Sequence, residues 1–172
     1  GRICPHPCEQ HCRRSKVDAP VGLMRLKRFV METAHEHRIS RRKSMRVPAR
    51  KTRVAVVGSG PSGLTAACDL VKTGYQVVVF ERSETPGGLL GNAVPRYRLP
   101  YSVVKEDIED ILAAGVGLQT NIEIGRDLSL DDLLARGFRA VLLSTGLSES
   151  RTLNIPGIDS TGVLLALPYL KM

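Results

Sequence analysis

The chain has 172 residues, the length of one domain or one domain with a small appendage. Its apolar fraction of 42% allows a real core, no apolar run approaches a membrane span, and the absence of tryptophan with few other aromatics argues against a stacking surface for single-stranded nucleic acid. The net charge of +8 is local: Arg38, Arg41, Arg42, Lys43, Arg46, Arg50, Lys51 and Arg53 stand together with no acid among them, the rest of the chain is neutral, and the high pI therefore does not signal nucleic-acid binding. The N-terminus carries no signal-peptide pattern, so the expected compartment is the cytoplasm.

The chain opens on GRICPHPCEQHC, in which Cys4, Cys8 and Cys12 are spaced C-x3-C-x3-C, with His6 and His11 interleaved. Thiolates this close repel one another and need a cation to hold them. Iron–sulfur clusters take cysteine sulfurs and zinc takes cysteine with histidine. The iron–sulfur reading is preferred, with zinc and a set of unrelated surface thiols as the alternatives. From Pro20 to about His37 the apolar residues Val21, Leu23, Met24, Leu26, Phe29, Val30 and Ala34 predict a helix with one buried stripe, started near Asp18 and packed over the cysteines. Residues 39–52 are basic and without periodicity. They read as a solvated linker or, alternatively, as a surface for an acidic partner.

The most informative stretch is Arg53–Arg82. An apolar run, Val54–Val57, leads into Gly58, Gly60 and Gly63 at GxGxxG spacing. A helical pattern follows, and a second apolar run, Val77–Phe80, ends on Glu81. A strand, a glycine turn, a helix and a strand ending in an acid form a dinucleotide-binding pattern. Gly58 permits the turn, Gly60 lets a pyrophosphate approach the backbone, and Gly63 lets the helix pack against the strand. The helix N-terminus offers unpaired amides to phosphate, and Glu81 can accept hydrogen bonds from ribose hydroxyls. The competing reading is a purely structural glycine turn. Cys68, on the same helix and without a nearby cysteine partner, reads as a small core residue.

Beyond it, Pro86-Gly87-Gly88 predicts a second close-approach turn. Val94–Pro100, with its two prolines, predicts a stiff extended loop over a bound cofactor, where Arg96 and Arg98 could meet phosphate or could simply be solvated. Tyr101–Ala114 reads as an amphipathic helix stopped by Gly115. Val116–Leu118 and Ile122–Ile124 read as short strands and Leu128–Ala135 as a short helix. Phe138–Ser144 reads as a buried strand running into Thr145-Gly146, where backbone would again approach a ligand. Asn154–Gly157 reads as a turn, and an apolar stretch, Val163–Tyr169, follows it.

The segments GRICPHPCEQHC, PVGLMRLKRF, VAVVGSGPSGLTAA, FERSETPGGLL, VPRYRLP, FRAVLLSTG and NIPG, in this order, resemble the glutamate synthase small-subunit type of FAD-dependent pyridine-nucleotide oxidoreductases. That family includes the N-terminal half of dihydropyrimidine dehydrogenase. The resemblance implies an α/β fold: a Rossmann-like FAD-binding domain of the GR2 type over residues 53–172, joined by the linker at 39–52 to a small α-helical iron–sulfur module over residues 1–38. It implies that Gly58, Gly60, Pro61, Ser62 and Gly63 hold the FAD pyrophosphate. Glu81 and Arg82 would meet the adenosine ribose, Gly88, Leu89 and Arg98 would lie along the flavin nucleotide, and Thr145 and Gly146 would close over it. Cys4, Cys8 and Cys12 would ligate a 4Fe–4S cluster, short of a fourth ligand; the family's glutamine ligand falls at Lys27. The flavin would relay electrons between NAD(P)H and the clusters of a larger oxidoreductase subunit or a ferredoxin-type partner, with no acid–base or nucleophilic residue required. The family's further cysteines and its second, NAD(P)H-binding domain lie outside this sequence, so the resemblance implies a piece of a longer protein. The alternatives are a docking module that keeps the nucleotide fold and an NAD-binding dehydrogenase domain with structural zinc.

Overall fold

A computed structural model describes residues 1–36 and 48–171; most of the linker predicted at 39–52 lies outside the described residues. The chain divides into two compact units, Gly1–Lys43 and Ser44–Met172.

The first unit contains a one-turn helix α1 (Pro7–Gln10), a 3-10 turn at Arg13–Lys16, and α2 (Leu23–Glu36). The predicted helix is present but does not start at Asp18. Asp18 is drawn back to Arg14, which donates to it from Nε at 2.6 Å, and the Glu9 carboxylate accepts from the Met24 amide at 2.8 Å at the start of α2. Glu32 holds Arg2 and Arg28 at 2.5 and 2.8 Å, fixing the N-terminal turn to α2. The expected buried stripe is not observed: Leu26, Phe29 and Val30 of α2 are 52, 68 and 60% exposed.

The second unit is built on four parallel strands, β1 (Arg53–Val57), β2 (Gln76–Phe80), β3 (Gly117–Gln119) and β4 (Phe138–Leu143), in the order β3-β2-β1-β4. A strand buried on both faces reads as an unbroken apolar run, which is why Val54–Val57 carries no alternation. Val54 and Val56 point to one face, where they pack with Val77, Val79 and Val116 against Ala67 of α3 (Pro61–Lys72). Ala55 points to the other face and packs with Phe80, Leu133 and Phe138, the two phenylalanine rings meeting edge to face at 5.7 Å. Leu133 belongs to α6 (Leu130–Ala135), whose N-terminus is closed by a capping box between Ser129 and Asp132. A third cluster joins Leu64 of α3 to Leu99 and to Val104 and Ile108 of α5 (Tyr101–Ala113), itself preceded by the short α4 (Leu89–Asn92). The chain closes with α7 (Ala166–Leu170). Among the described residues no helix is long and apolar enough to cross a membrane.

Three expectations are corrected. Ile122–Ile124 is not a strand, and Ile124 makes only an isolated bridge to Leu128. β4 is not buried along its length: Phe138 is, but Leu142 and Leu143 are 38 and 59% exposed, because β4 is the sheet edge and is flanked by β1 alone. Val94–Pro100 is not an extended arm. The amides of Arg98 and Leu99 turn back to the Pro95 carbonyl, and Leu99 is drawn into the core. The last residues before β1 are anchored as well: Arg50 stacks over Tyr75 at 4.7 Å and donates to the Thr73 carbonyl.

Candidate functional site

In an open parallel sheet a ligand crevice forms at the carboxyl ends of the strands where the strand order reverses. Here that point lies between β1 and β4. A cleft of about 460 Å³ opens there, lined by Gly58 and Gly60 after β1, Glu81–Ser83 after β2, Gly88–Leu90 and Asn92, Ser144–Ser148 after β4, and Lys171. A smaller hollow of about 180 Å³ shares Gly58, Glu81, Arg82, Thr145, Gly146 and Ser148 with it and continues between Val57, Phe80, Ile122 and Ile124.

The three glycines of the first turn do different work. Gly58 has φ +102°, and a Cβ on it would lie 2.4 Å from the Ser144 carbonyl oxygen. On Gly63 a Cβ would lie 2.0 Å from the Gly58 carbonyl oxygen. Beyond Gly60 there is open space, with no atom within 4 Å of where its Cβ would stand. Gly60 is also the N-cap of α3, with Pro61 behind it. Leu64 is the first residue whose amide reaches back to the Gly60 carbonyl, so the amides of Ser62 and Gly63 have no intrahelical acceptor. The second turn abuts the first: Gly88 has φ +59°, and its Cβ would lie 2.9 Å from the Gly60 Cα.

Glu81 is only 6% exposed, yet among the described residues it faces no cation in a direct ion pair. Its Oε2 accepts from the Ser59 amide at 2.9 Å and from the Ser59 hydroxyl at 2.6 Å, and its Oε1 accepts from the Ser83 amide at 2.9 Å. Burial pushes the carboxyl up, but these donors outweigh it and hold Glu81 below the usual carboxylate range. Each carboxylate oxygen accepts about two hydrogen bonds, which leaves one position on Oε1 for a ligand hydroxyl.

Of the residues expected at a dinucleotide, Gly58, Gly60, Pro61, Glu81, Arg82, Gly88, Leu89, Thr145 and Gly146 all line the cleft. Ser62 and Gly63 sit behind it in the first turn of α3. Arg98 is exposed and is not among the lining residues. Arg96 is not among the lining residues either; it donates to the Gly91 carbonyl at 2.7 Å and stacks on Tyr101. The residue missed in the sequence is Ser59, fully buried between the two glycines of the turn. The only signal was a polar residue inside a close-packed turn; its partner lies 22 positions away. The hollow beside Ile122 and Ile124 was missed because that segment reads as a strand.

The cysteines stand differently. Cys8 lies on α1, Cys12 is the N-cap of the 3-10 turn, and Cys4 precedes α1. Among the described residues no three His, Cys, Asp or Glu side chains are gathered so as to hold a metal ion. The donors present therefore do not fit a cluster as they are arranged here. Hydrogen bonds from the backbone of Val21, Arg14 and Ser15 lower the Cys12 thiol below its ordinary value. Cys68 is buried in α3, as a core residue.

Comparison with known proteins agrees with this geometry. Residues 56–103 match the NAD(P)-binding Rossmann-like domain family. The chain is 38% identical to the NADPH glutamate synthase small chain of Bacillus subtilis over 174 residues, which cover 100% of this chain and 34% of that one. Over its whole length the chain is similar to the glutamate synthase small chain. It is also 38% identical to the NAD-dependent dihydropyrimidine dehydrogenase subunit PreT of Escherichia coli K12, covering 99% of this chain and 41% of PreT. Against the NADPH–Fe(3+) oxidoreductase subunit beta of Geobacter sulfurreducens the identity is 37%, over 92% of this chain and 24% of that one. The chain thus spans less than half the length of each of these relatives. Among solved structures, Mycobacterium tuberculosis FprA in complex with NADPH superposes with a TM-score of 0.64 at 28% identity, covering 71% of this chain and 28% of FprA. The chain has a parallel-sheet, Rossmann-like α/β unit, and the proteins it is similar to are named as NAD(P)-dependent oxidoreductases or their subunits.

Proposed function

We propose that the Rossmann-like unit binds FAD and forms the flavin-holding part of an NAD(P)H-dependent oxidoreductase that passes electrons to a partner subunit. The observation that carries this reading is the buried Glu81 carboxylate, held by Ser59 and Ser83 with one acceptor position left, beside the open approach to the Gly60 backbone. Gly60 and the unpaired amides of Ser62 and Gly63 would receive the pyrophosphate, and Glu81 the ribose hydroxyls. The apolar floor of Val57, Phe80, Ile122 and Ile124 would take the adenine. When bound, the flavin supplies hydride acceptance and electron release; the protein's part is binding, orientation and exclusion of water. No residue of this chain is assigned an acid–base role.

The names of the relatives support a nicotinamide nucleotide as electron donor and a larger assembly as the setting. The iron–sulfur assignment of Cys4, Cys8 and Cys12 rests on their spacing and on the family resemblance alone, and no electron step is routed through it. A docking role for the same unit is favoured by one observation: Leu142, Leu143, Leu147, Leu153 and Leu164, in β4 and the segment after it, are between 38 and 83% exposed.

The deciding experiment is titration of the purified chain with FAD, NAD⁺ and NADPH, followed by flavin fluorescence quenching and by calorimetry. FAD is expected to bind with the highest affinity and with a one-to-one stoichiometry. A chain that leaves flavin fluorescence unchanged refutes the reading, and selective binding of NAD⁺ would favour the NAD-dehydrogenase alternative.

A further inference from the structure

Ser59 is the one fully buried polar side chain among the described residues, and the glycine pattern around it gives no reason for a hydroxyl there. A buried hydroxyl is tolerated only where its hydrogen bonds are made. Here they are, in an order fixed by chemistry. The Gly87 amide can only donate, and it reaches Ser59 Oγ at 3.1 Å. The single hydroxyl proton therefore goes to Glu81 Oε2, at 2.6 Å. The Ser59 amide adds a second donor to the same oxygen at 2.9 Å. Oε2 is filled and turned inward, while Oε1, with the Ser83 amide as its protein donor, keeps one acceptor position.

Resting on the FAD reading above, we propose that Ser59 is the positioning residue of the cofactor site: its hydroxyl aims the Glu81 carboxylate at the ribose hydroxyls of the bound dinucleotide and locks the Pro86–Gly88 turn to the same point. The second half follows from the Gly87 contact. Gly87 donates to both the carbonyl and the hydroxyl of Ser59, and the next residue, Gly88, lies against Gly60. Both glycine turns and the acid thus meet in one side chain. Two of the hydrogen bonds to Glu81 come from backbone amides, and the Ser59 hydroxyl is the side-chain donor among them; the Ser83 hydroxyl also helps hold the carboxyl low and is left in place. The variant Ser59→Ala leaves the Gly87 amide its bond to the carbonyl of residue 59 at 3.1 Å, so no buried donor is orphaned.

The test reads the pH dependence of flavin binding, which a merely structural serine would not move. The charged groups sharing the site with Glu81 are Arg82, Glu123 from the hollow, and Lys171 from the end of α7; none of them is altered. FAD affinity is measured by fluorescence quenching between pH 5 and 8 for the wild-type chain, S59A, E81Q and the double variant. S59A is expected to weaken FAD about tenfold at neutral pH, and by more as the pH falls and the less well-supported carboxylate takes up a proton. In the E81Q background the same change should have a much smaller effect. Equal weakening by S59A at every pH, or effects of the two changes that simply multiply, would overturn the proposal. A second readout needs no flavin: the ¹³C titration of the Glu81 carboxyl should move to higher pH in S59A and fall between the two in Ser59→Cys, which keeps a weak donor. If the wild-type chain fails to bind FAD, the functional reading fails by itself. An unmoved Glu81 titration in S59A removes the positioning role whether or not flavin binds.

Discussion

The carbonyl oxygen of Gly58 stands where a side chain on Gly63 would have to go, 2.0 Å from the position of its Cβ. Gly60, between them in sequence, has no such neighbour and keeps an ordinary φ of −67°. The two outer glycines are therefore needed by the fold; the middle one is not, and on the proposed FAD reading it serves the approach of the pyrophosphate. Gly63→Ala should destabilise the chain by about 3 kcal/mol or more, read by denaturant unfolding. Gly60→Ala should change stability by no more than about 1 kcal/mol while weakening FAD roughly tenfold.

The acid response of the chain should trace in part to Glu81. Its carboxyl lies below the usual range in the folded state, because the hydrogen bonds from Ser59 and Ser83 outweigh the upward push of burial. The unfolded chain holds that proton more readily, so the stabilisation is complete above the ordinary glutamate value of ~4.3 and is lost as pH falls through the lower folded value. Unfolding midpoints measured from pH 7 to 3 should fall more steeply for the wild type than for Glu81→Gln at the acid end. Parallel curves would assign the acid sensitivity to other carboxylates.

Leu133 is fully buried beneath the sheet with Ala55, Phe80 and Phe138. Leu133→Ala should cost about 3 kcal/mol through lost burial and a residual cavity. Thermal melting should show a midpoint lower by roughly 10 °C.

Leu143 is as apolar as Leu133 but 59% exposed on the edge strand. Leu143→Lys should leave the stability of the isolated chain within about 0.5 kcal/mol. If β4 is a docking edge, the same change should abolish recovery of a partner subunit. A large loss of stability would show instead that β4 is covered within the chain.

Much of this was legible in the sequence because the signals were local. The run Val54–Val57, the spacing of Gly58, Gly60 and Gly63, and the stripe through Val104 and Ile108 each follow from the period of a buried strand, a tight turn or an amphipathic helix. The misreadings came where neighbours decide. Val94–Pro100 reads as a stiff arm from its prolines, yet Leu99 finds the core beside Leu64 and turns the segment inward. Phe138–Ser144 reads as buried from its apolar residues, yet its place at the sheet edge leaves Leu142 and Leu143 in solvent.

The sequence by itself determined that a glycine turn, a helix N-terminus and an acid at the end of a strand occur at the spacing of a dinucleotide site. Local hydrogen-bonding geometry and chain stiffness are enough for that. Only the tertiary structure decided what Glu81 does before any ligand arrives. Parallel pairing of β1 with β2 brings Glu81 beneath Ser59, from 22 residues away, and the turn at Gly87 closes over the same hydroxyl. No periodicity encodes that meeting. It depends on which strands lie side by side, and buried polar groups must find their partners wherever the packing leaves them.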